Sequence, residues 1–565
     1  MKKRFKMFFP LLIASAALIV SGCGKNARKI EENAINVKLL LGGYGKKWME
    51  NLISKFEEVY KDEGYKINLV NPNKQIDGNA VYNELLSGYN KKKIDVYFTG
   101  SLKPTRCVDN GNILVEDITE SVYNQKAIGF DGKEEDKTVL EKLDSSFGKE
   151  WYQYEGKAYG FFYMKSIGAL VVNREKLASF GFNELPVTSN QFLNQIHYIT
   201  SQNLKGQTKI KPLVSTTASG GTTGYATVMM NSWFTQYSGL DAWNTFWSMN
   251  NSDGTYNTAT GYNVFNDPGL EKAGELLFNA YDYSNFVTGS KSYSISDAHN
   301  SLMAKDTGGV FVFDGDWALN ETAADFPSND DLRKLSFINV PIISALGTKL
   351  WGTLITDENV CDQVLARVAV LSDEGKEVSE IKATINSEFG YELSDESILE
   401  VCKARGVYNN RGVETGNAYL AKGISDKHKE IASKFFRMIA SDDFSKMYFS
   451  TSRCFSPYSK VIEEGAELLP FNNGHSQIAT HKYASVIWPM TTGLRAKIGG
   501  TLDRMYPLVQ YFHQYALDNP DTAYDANGDL IPAEVAKYKT KSDAKRQENF
   551  DDVYSKWSTL IAGIN

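Results

Sequence analysis

Cysteine is scarce in this sequence: there are five among 565 residues, and no two of them form a Cys-x-x-Cys pair. That spacing is typical of zinc ribbons and dithiol redox sites, so its absence argues against both classes. Apart from Cys23, the cysteines are Cys107, Cys361, Cys402 and Cys454. In an exported chain these four permit three disulfide pairings, and buried free thiols are an equal alternative.

An excess of positive charge is also missing. The chain has 61 Lys and Arg against 68 Asp and Glu, which gives a formal net charge of −7, and it contains no dense basic tract. Nucleic-acid-binding proteins present a basic surface to the phosphate backbone, so this composition argues against nucleic acid as a partner.

Common catalytic motifs are absent from the sequence. It contains no His-Glu-x-x-His and no Gly-x-Ser-x-Gly segment. Ser146–Lys149 and Ser542–Lys545 fit Ser-x-x-Lys, but neither has the Lys-Thr-Gly companion. The glycine-rich turn at 42–45 lacks the Gly-x-Gly-x-x-Gly spacing of a dinucleotide site. We therefore predict that the chain is not an enzyme, and that it has no cofactor and no metal.

Only one long apolar run exists, at Met7–Val20, and it follows four basic residues. No second stretch of 18 or more apolar residues follows, so the remainder is expected to be soluble. The run ends in Val20–Cys23, which resembles a bacterial lipobox. The resemblance implies that the Cys23 thiol is lipidated and that the chain is cleaved before it. A transmembrane anchor is the alternative, but the run is short for a bilayer core of ~30 Å.

The mature chain is too long for a single hydrophobic core, since one core rarely exceeds ~300 residues. Its first part alternates predicted strands and amphipathic helices: strand 35–41, helix 48–60, strand 66–70, helix 80–86 and strand 94–98. This order predicts a parallel α/β sheet with helices on its faces. Ligands bind at the carboxyl ends of such strands, which places Gly42–Tyr44 and Thr99–Ser101 at one rim.

The stretch Trp151–Asn173 joins two units of the chain. Tyr154–Tyr159 predicts a tight hairpin, and the apolar, β-branched run Ile167–Val172 predicts a buried strand. Here the sequence resembles the extracellular solute-binding proteins of carbohydrate ABC importers, the maltose-binding-protein-like family. In that family a Tyr-x-Gly-Lys-x-Tyr-Gly segment leads from the first lobe to the second. Leu185–Thr188 stands where the family has its Pro-Pro-x-Thr helix entry.

The resemblance implies an α/β fold of the periplasmic-binding-protein type, with two lobes and a hinge between them. The implied divisions are a lipoprotein signal peptide at 1–22, a tether at 23–34, lobe 1 at 35–165 and 346–456, and lobe 2 at 166–345 and 457–565. Within 346–456, three predicted helices at about 357–413 form an insertion into lobe 1. Its composition leaves open whether it contacts a permease, the cell wall or a ligand.

Sugar sites combine aromatic faces with polar groups that receive hydroxyls, and the chain is rich in both, with nine Trp and 31 Tyr. The segment from Met303 to Trp317 resembles the family hallmark Ala-Met-x-x-x-Gly-x-Trp, whose Trp often stacks on a sugar. The predicted ligand-binding residues are Trp317, Trp488, Trp233, Trp351, Tyr163, Tyr44, Asp316, Ser101 and Ser166. Four other tryptophans, on helix-like stretches, are predicted to pack in the core: Trp48, Trp243, Trp247 and Trp557.

The resemblance implies a monomer, tethered to the outer face of the cell membrane through lipid on Cys23, that binds a carbohydrate and delivers it to ABC permease subunits. An extracellular lipoprotein glycoside hydrolase is one alternative, because such an enzyme needs paired carboxylates in a cleft and the chain is rich in Asp and Glu. A binding protein for another solute, such as a peptide, is a second. The acidic segment Asp525–Asp529 resembles a calcium loop, but its glycine is misplaced, which favours a surface turn.

Overall fold

A computed structural model describes residues 30–40, 42–70, 78–100, 102–108, 113–145, 147–149, 152–215, 226–410, 416–488, 492–498 and 522–564. The signal peptide predicted at 1–22, Cys23 and most of the predicted tether lie outside these ranges. Within them, every helix is too short or too polar to span a bilayer.

The strands and helices alternate along much of the chain. The strands are β1 (Ala34–Leu39), β2 (Lys66–Val70), β3 (Val96–Thr99), β4 (Lys126–Ile128), β5 (Glu134–Thr138), β6 (Gln153–Tyr154), β7 (Lys157–Ala158), β8 (Gly160–Phe162), β9 (Ile167–Asn173), β10 (Lys209–Leu213), β11 (Thr307–Gly315), β12 (Leu335–Ile338), β13 (Val407–Asn410), β14 (Asn417–Leu420) and β15 (Ser485–Ile487).

The helices are α1 (Lys47–Val59), α2 (Gly78–Leu86), α3 (Tyr89–Lys92), α4 (Pro104–Val108), α5 (Val139–Lys142), α6 (Arg174–Ser179), α7 (Ser189–Leu204), α8 (Ala226–Ser248), α9 (Pro268–Ala280), α10 (Ile295–Met303), α11 (Ala318–Asp325), α12 (Asn329–Leu332), α13 (Ala345–Trp351), α14 (Glu358–Asp373), α15 (Val378–Phe389), α16 (Asp395–Arg405), α17 (Asp426–Ile439), α18 (Asp442–Ser452), α19 (Pro470–Thr480), α20 (Gly493–Ile498) and α21 (Pro532–Leu560).

Lobe 1 is built on a five-stranded sheet in the order β2-β1-β3-β14-β8. β1 pairs in parallel with β2 and β3, while β14 runs antiparallel to both β3 and β8. The predicted alternation of strands and helices is confirmed here, because α1 and α2 connect the three parallel strands. Since β1 and β3 end at the same edge, Gly42–Tyr44 and Thr99 share one rim, as predicted; Ser101 lies outside the described residues.

Lobe 2 is built on a six-stranded sheet in the order β10-β11-β9-β13-β15, with β12 also paired to β9. The fully buried β9 is its centre, as its continuous apolar pattern predicts. The hairpin predicted just before it is formed by β6 and β7. Glu155 and Gly156, between these two strands, both have positive φ, which suits a two-residue hairpin turn.

The chain crosses between the lobes from β8 to β9, again from β13 to β14, and finally between α18 of lobe 1 and α19 of lobe 2. The first two crossings run side by side, since the amide of Tyr163 donates to the Gly416 carbonyl at 2.9 Å. The sequence interpretation placed the second crossing at about residue 345, where the predicted first part of lobe 2 ends. That position is wrong, because β12 pairs with β9 and the chain stays in lobe 2 as far as Asn410.

The three helices predicted between 357 and 413 exist as α14, α15 and α16, but they belong to lobe 2. Val364, Leu365 and Val401 are fully buried and share one hydrophobic core with Leu170 and Trp233 of lobe 2. The assignment of 346–410 to lobe 1 is therefore corrected. The apolar face of each helix predicts that the helix is covered by another part of the protein. The sequence pattern does not specify which sheet covers it.

Two further sequence questions are answered by the local structure. The cysteines Cys107, Cys361, Cys402 and Cys454 are all unpaired and buried. The Asp525–Asp529 segment is a surface turn in which Asp525 Oδ1 accepts from the amides of Asn527, at 2.8 Å, and Asp529, at 2.9 Å. Lys205 Nζ pairs with Asp529 Oδ1 at 2.8 Å.

Lobe 1 contains a buried histidine that makes its stability depend on pH. His428 Nδ1 lies 2.6 Å from Asp95 Oδ1, and its Nε2 lies 2.8 Å from the Glu31 carbonyl oxygen. The hydrogen bond to Asp95 outweighs burial and raises the pKa of His428 above its ordinary value. The unfolded chain therefore binds fewer protons than the folded one between the ordinary and the raised pKa.

The stability that His428 contributes is therefore complete below about pH 6.5 and is lost as pH rises through the raised pKa. We expect His428→Asn to cost roughly 2 kcal/mol at pH 6, and distinctly less at pH 9. Urea unfolding of both proteins at the two pH values measures this. An equal cost at both values would show that the imidazole carries no charge in the folded protein.

Candidate functional site

A cavity of about 1060 Å³ lies between the two lobes. Lobe 1 contributes the segments 142–148 and 456–460 to its wall, and lobe 2 contributes the end of α8, the end of α19 and the segment around β15. Its aromatic wall residues are Trp243, Trp247, Tyr408, Tyr458 and Trp488. This combination of aromatic faces with scattered polar groups suits a ligand that has both apolar faces and hydroxyls.

Helix α8 places two of these tryptophans. Gly239, inside it, has φ 87° and ψ 170°, a conformation essentially restricted to glycine, so the helix breaks there and resumes in a new direction. Trp243 and Trp247 follow at i, i+4 spacing and therefore lie on one face of the second segment. Both pack into the lobe 2 core and also line the cavity.

Helix α20 supports Trp247. The fully buried Arg495 places its guanidinium carbon 4.4 Å from the centre of the Trp247 ring and donates from Nη1 to the Phe246 carbonyl at 2.7 Å. Trp488 follows β15 in lobe 2 and packs against the hydrophobic core of lobe 1. Trp488 therefore lines the cavity and bridges the two lobes, and its role as a ligand contact stays a prediction.

A second set of predicted residues meets outside the cavity, in a buried contact that we call the seam (Tyr44, Ser166 and Asp316). The Tyr44 hydroxyl donates to Asp316 Oδ1 at 2.6 Å and lies 2.7 Å from Ser166 Oγ. Burial and the adjacent Asp316 raise the pKa of Tyr44 well above its ordinary value, so this hydroxyl stays a donor. His475 Nε2 lies 2.9 Å from Asp316 Oδ2. The structure brings these three predicted residues together but does not place them in the cavity wall.

Trp317 extends the seam. It precedes α11, only 8% of its surface is exposed, and its ring meets that of Tyr44 edge to face at 6.1 Å. It also lies so close to Gly43 that a Cβ added there would be 2.6 Å from the indole. Asn320 Nδ2 donates to the Gly43 carbonyl at 2.6 Å. Trp317 thus fills the contact between the lobes, rather than the cavity wall.

The remaining candidates occupy core positions. Trp233 is fully buried and donates from Nε1 to the Pro341 carbonyl at 2.9 Å. Trp351 donates to Ser397 Oγ at 2.9 Å, and Tyr163 stacks on Trp48 at 5.8 Å in the lobe 1 core. The choice of Trp233, Trp351 and Tyr163 as ligand contacts does not fit this burial. Ser101 and Cys23 lie outside the described residues.

One buried group in lobe 2 has the chemistry of metal ligands: His299, Asp314 and Glu321 offer atoms within 4.8 Å of one another. His299 Nε2 lies 2.8 Å from Asp314 Oδ2, and His299 Nδ1 lies 3.9 Å from Glu321 Oε2. Burial and the charge of Asp314 raise the pKa of Glu321 to about 7. A protonated Glu321 reduces the negative charge in the group, and the same donors could hold a divalent cation.

Sequence reasoning missed Trp243 and Trp247, which it assigned to packing. Both do pack, but their i, i+4 spacing directly after the Tyr237–Gly239 segment is a usable signal. A glycine that breaks a helix often redirects the aromatic residues that follow it. The local sequence around Tyr408 and Tyr458 contains no comparable signal. The two residues reach the cavity wall because of where the chain passes between the lobes, which the local sequence does not show.

Comparison with known proteins supports the fold. No protein-family model and no curated protein matches the chain. Among solved structures, it is similar to a chitin oligosaccharide binding protein, with a TM-score of 0.52, 12% identity and coverage of 91% of this chain and 99% of the other. It is also similar to a maltose-bound T. maritima MalE3, with a TM-score of 0.52, 12% identity and coverage of 90% of this chain and 99% of the other. A third similar structure is the solute-binding protein RafE in complex with raffinose, with a TM-score of 0.52, 11% identity and coverage of 91% of this chain and 99% of the other.

At these identities the similarity shows the fold alone. The chain has the two-lobed α/β fold of solute-binding proteins, and the resemblance drawn from the sequence is confirmed at the level of that fold. Matched coverage of both chains shows that the likeness extends over nearly the whole length of each.

Proposed function

We propose that this protein captures a sugar or oligosaccharide between its lobes without making or breaking a bond. The observation that carries the proposal is the cavity between the lobes, whose wall includes Trp243, Trp247 and Trp488. Indole rings offer broad apolar faces to the CH faces of a sugar ring. Structural neighbours with the same fold include proteins bound to maltose and to raffinose, which supports this reading.

The size of the cavity favours an oligosaccharide over a single sugar. Small-molecule sites commonly occupy ~300–1,000 Å³, and this cavity, at about 1060 Å³, is slightly larger than that range. Closure of two lobes around a ligand is a hinge motion of the kind that binding proteins use. We further propose that the protein is a monomer tethered through lipid on Cys23 to the outer face of the cell membrane. There it delivers the sugar to the permease subunits of an ABC importer.

A thermal-shift screen of purified protein against saccharides and peptides tests the ligand class. A ligand at a hundred times its dissociation constant adds ~2.7 kcal/mol to stability, so a true ligand raises the unfolding temperature clearly. Stabilisation by peptides alone would contradict saccharide binding. Product analysis after incubation with each stabilising oligosaccharide tests the absence of catalysis, because release of shorter products would identify a hydrolase.

Lipid anchoring needs a separate test. Metabolic labelling with a fatty-acid analogue is expected to label the wild-type chain in bacterial membranes and not a Cys23→Ala variant. Equal labelling of both chains would place the lipid elsewhere or exclude it.

A further inference from the structure

The charges in the cavity wall differ in how they are neutralised. Lys142 lines the cavity but is neutralised by two carboxylates of lobe 1, Glu135 and Asp442, the second at 2.8 Å. Lys482 also lines the cavity and pairs with Glu377 at 2.5 Å. The positive charge of each is therefore already compensated by the protein.

Lys460 is different. In the part of the chain that the structure describes, it makes no ion pair and no hydrogen bond with another side chain. Its neighbours are Lys165 and Asp144, and Lys165 Nζ already holds Asp144 Oδ2 at 2.5 Å. Lys460 is exposed at the cavity wall, and partial desolvation there, together with the positive charge of Lys165, lowers the pKa of its ammonium. Lys460 thus faces a second ammonium whose carboxylate is already engaged, which leaves the Lys460 ammonium as the uncompensated positive charge of this part of the cavity wall.

An ammonium group in this position gains from an anion. Partial loss of hydration next to a like charge is unfavourable unless a partner compensates for it. A hydrogen bond from an ammonium to a carboxylate is roughly twice as strong as one between neutral groups. The protein as a whole has a formal net charge of −7, so this local excess of positive charge is opposite in sign to the rest of the molecule.

We propose that the cavity selects an acidic oligosaccharide, one that carries a carboxylate such as that of a uronic acid, and that Lys460 pairs with this carboxylate. The inference rests on the proposed function, since the tryptophans of the wall bind the sugar rings. One uncompensated ammonium matches one carboxylate per binding site. Lys460 therefore acts as a specificity-determining residue, while Trp243, Trp247 and Trp488 supply affinity common to acidic and neutral sugars.

Calorimetry on purified protein tests this with matched pairs of trisaccharides: tri-glucuronate and tri-galacturonate, each beside its neutral counterpart of the same linkage. We expect an acidic member to bind at least about tenfold more tightly than its neutral partner. Lys460→Met is expected to remove that advantage and to leave the neutral affinity unchanged. Lys382→Met is the matched control, since Lys382 is a paired lysine of α15 outside the cavity wall, and its loss should change either affinity less than about twofold.

The outcomes separate this inference from the proposed function. Preference for the neutral member of every pair, or an equal loss of both affinities in Lys460→Met, would overturn acidic selectivity while leaving saccharide binding in place. If neither acidic nor neutral saccharides bind to folded protein, the proposed function fails and the inference fails with it. Raising the salt concentration from 50 to 500 mM should weaken only the acidic ligand, and an unchanged affinity would also contradict the pairing with Lys460.

Discussion

The Trp488→Ala variant is expected to bind its saccharide at least about thirtyfold more weakly than the wild-type protein, a loss of roughly 2 kcal/mol. Trp488 lines the cavity from lobe 2 and packs against the core of lobe 1. Its ring therefore contributes both a stacking face and a contact that exists only when the lobes are together. Loss of the stacking face together with the contact between the lobes should reduce affinity more than loss of a ring whose only contact is with the ligand. Calorimetry measures the change.

Trp488→Phe is the matched control, because it keeps an aromatic face in the same place. We expect it to retain most of the affinity, within about fivefold of the wild type. The indole ring of Trp488 is only partly buried, so the Trp488→Ala variant should have nearly the same unfolding temperature as the wild-type protein. Full affinity in the alanine variant would show that the ligand does not touch this wall of the cavity.

Replacing Asp282 with alanine is expected to destabilise lobe 2 by about 4 kcal/mol. The buried carboxylate accepts from the amides of Ser284, at 2.8 Å, and Ala523, at 2.7 Å, and also from the hydroxyls of Thr522 and Tyr538. Tyr538 belongs to α21, so this one carboxylate attaches the C-terminal helix to the rest of lobe 2. Without it, several buried donors lose their acceptor at once.

Asp267→Ala provides the comparison for this prediction. Asp267 is also an aspartate of lobe 2, but it caps α9 through the Gly269 amide at 2.7 Å and is only partly buried. Losing such a cap costs about 1 kcal/mol. Urea unfolding followed by tryptophan fluorescence should therefore separate the two variants clearly. Equal losses would show that α21 is held mainly by its apolar contacts.

Elements with a strong local pattern could be predicted from the sequence. The β6–β7 hairpin and the buried strand β9 follow from a turn dipeptide and from a continuous apolar run. Helices α14 to α16 follow from their apolar periodicity and from serine, aspartate and glycine at their ends. The lobe that covers those helices could not be predicted, because an amphipathic face specifies burial and not its partner.

The site was less accessible than the fold. Trp488, selected from the sequence as a candidate ligand contact, lies in the cavity wall, whereas Trp317 was selected through a motif and lies against the seam. An indole in the core, in the cavity wall or in the contact between lobes has the same local sequence signature. Only the arrangement of the lobe crossings separates these positions, and that arrangement depends on strand pairings far apart in the chain, such as Asn409 with Gly168.

The seam formed by Tyr44, Ser166 and Asp316 has a consequence for recognition. These hydrogen bonds align the two halves of the molecule through groups that lie outside the cavity wall. While these hydrogen bonds are formed, the orientational freedom of one half relative to the other is reduced, so closure around a ligand costs less ordering entropy. The residues of the cavity wall can then determine the affinity for the ligand, because a different set of residues, those of the seam, determines how the two halves are aligned.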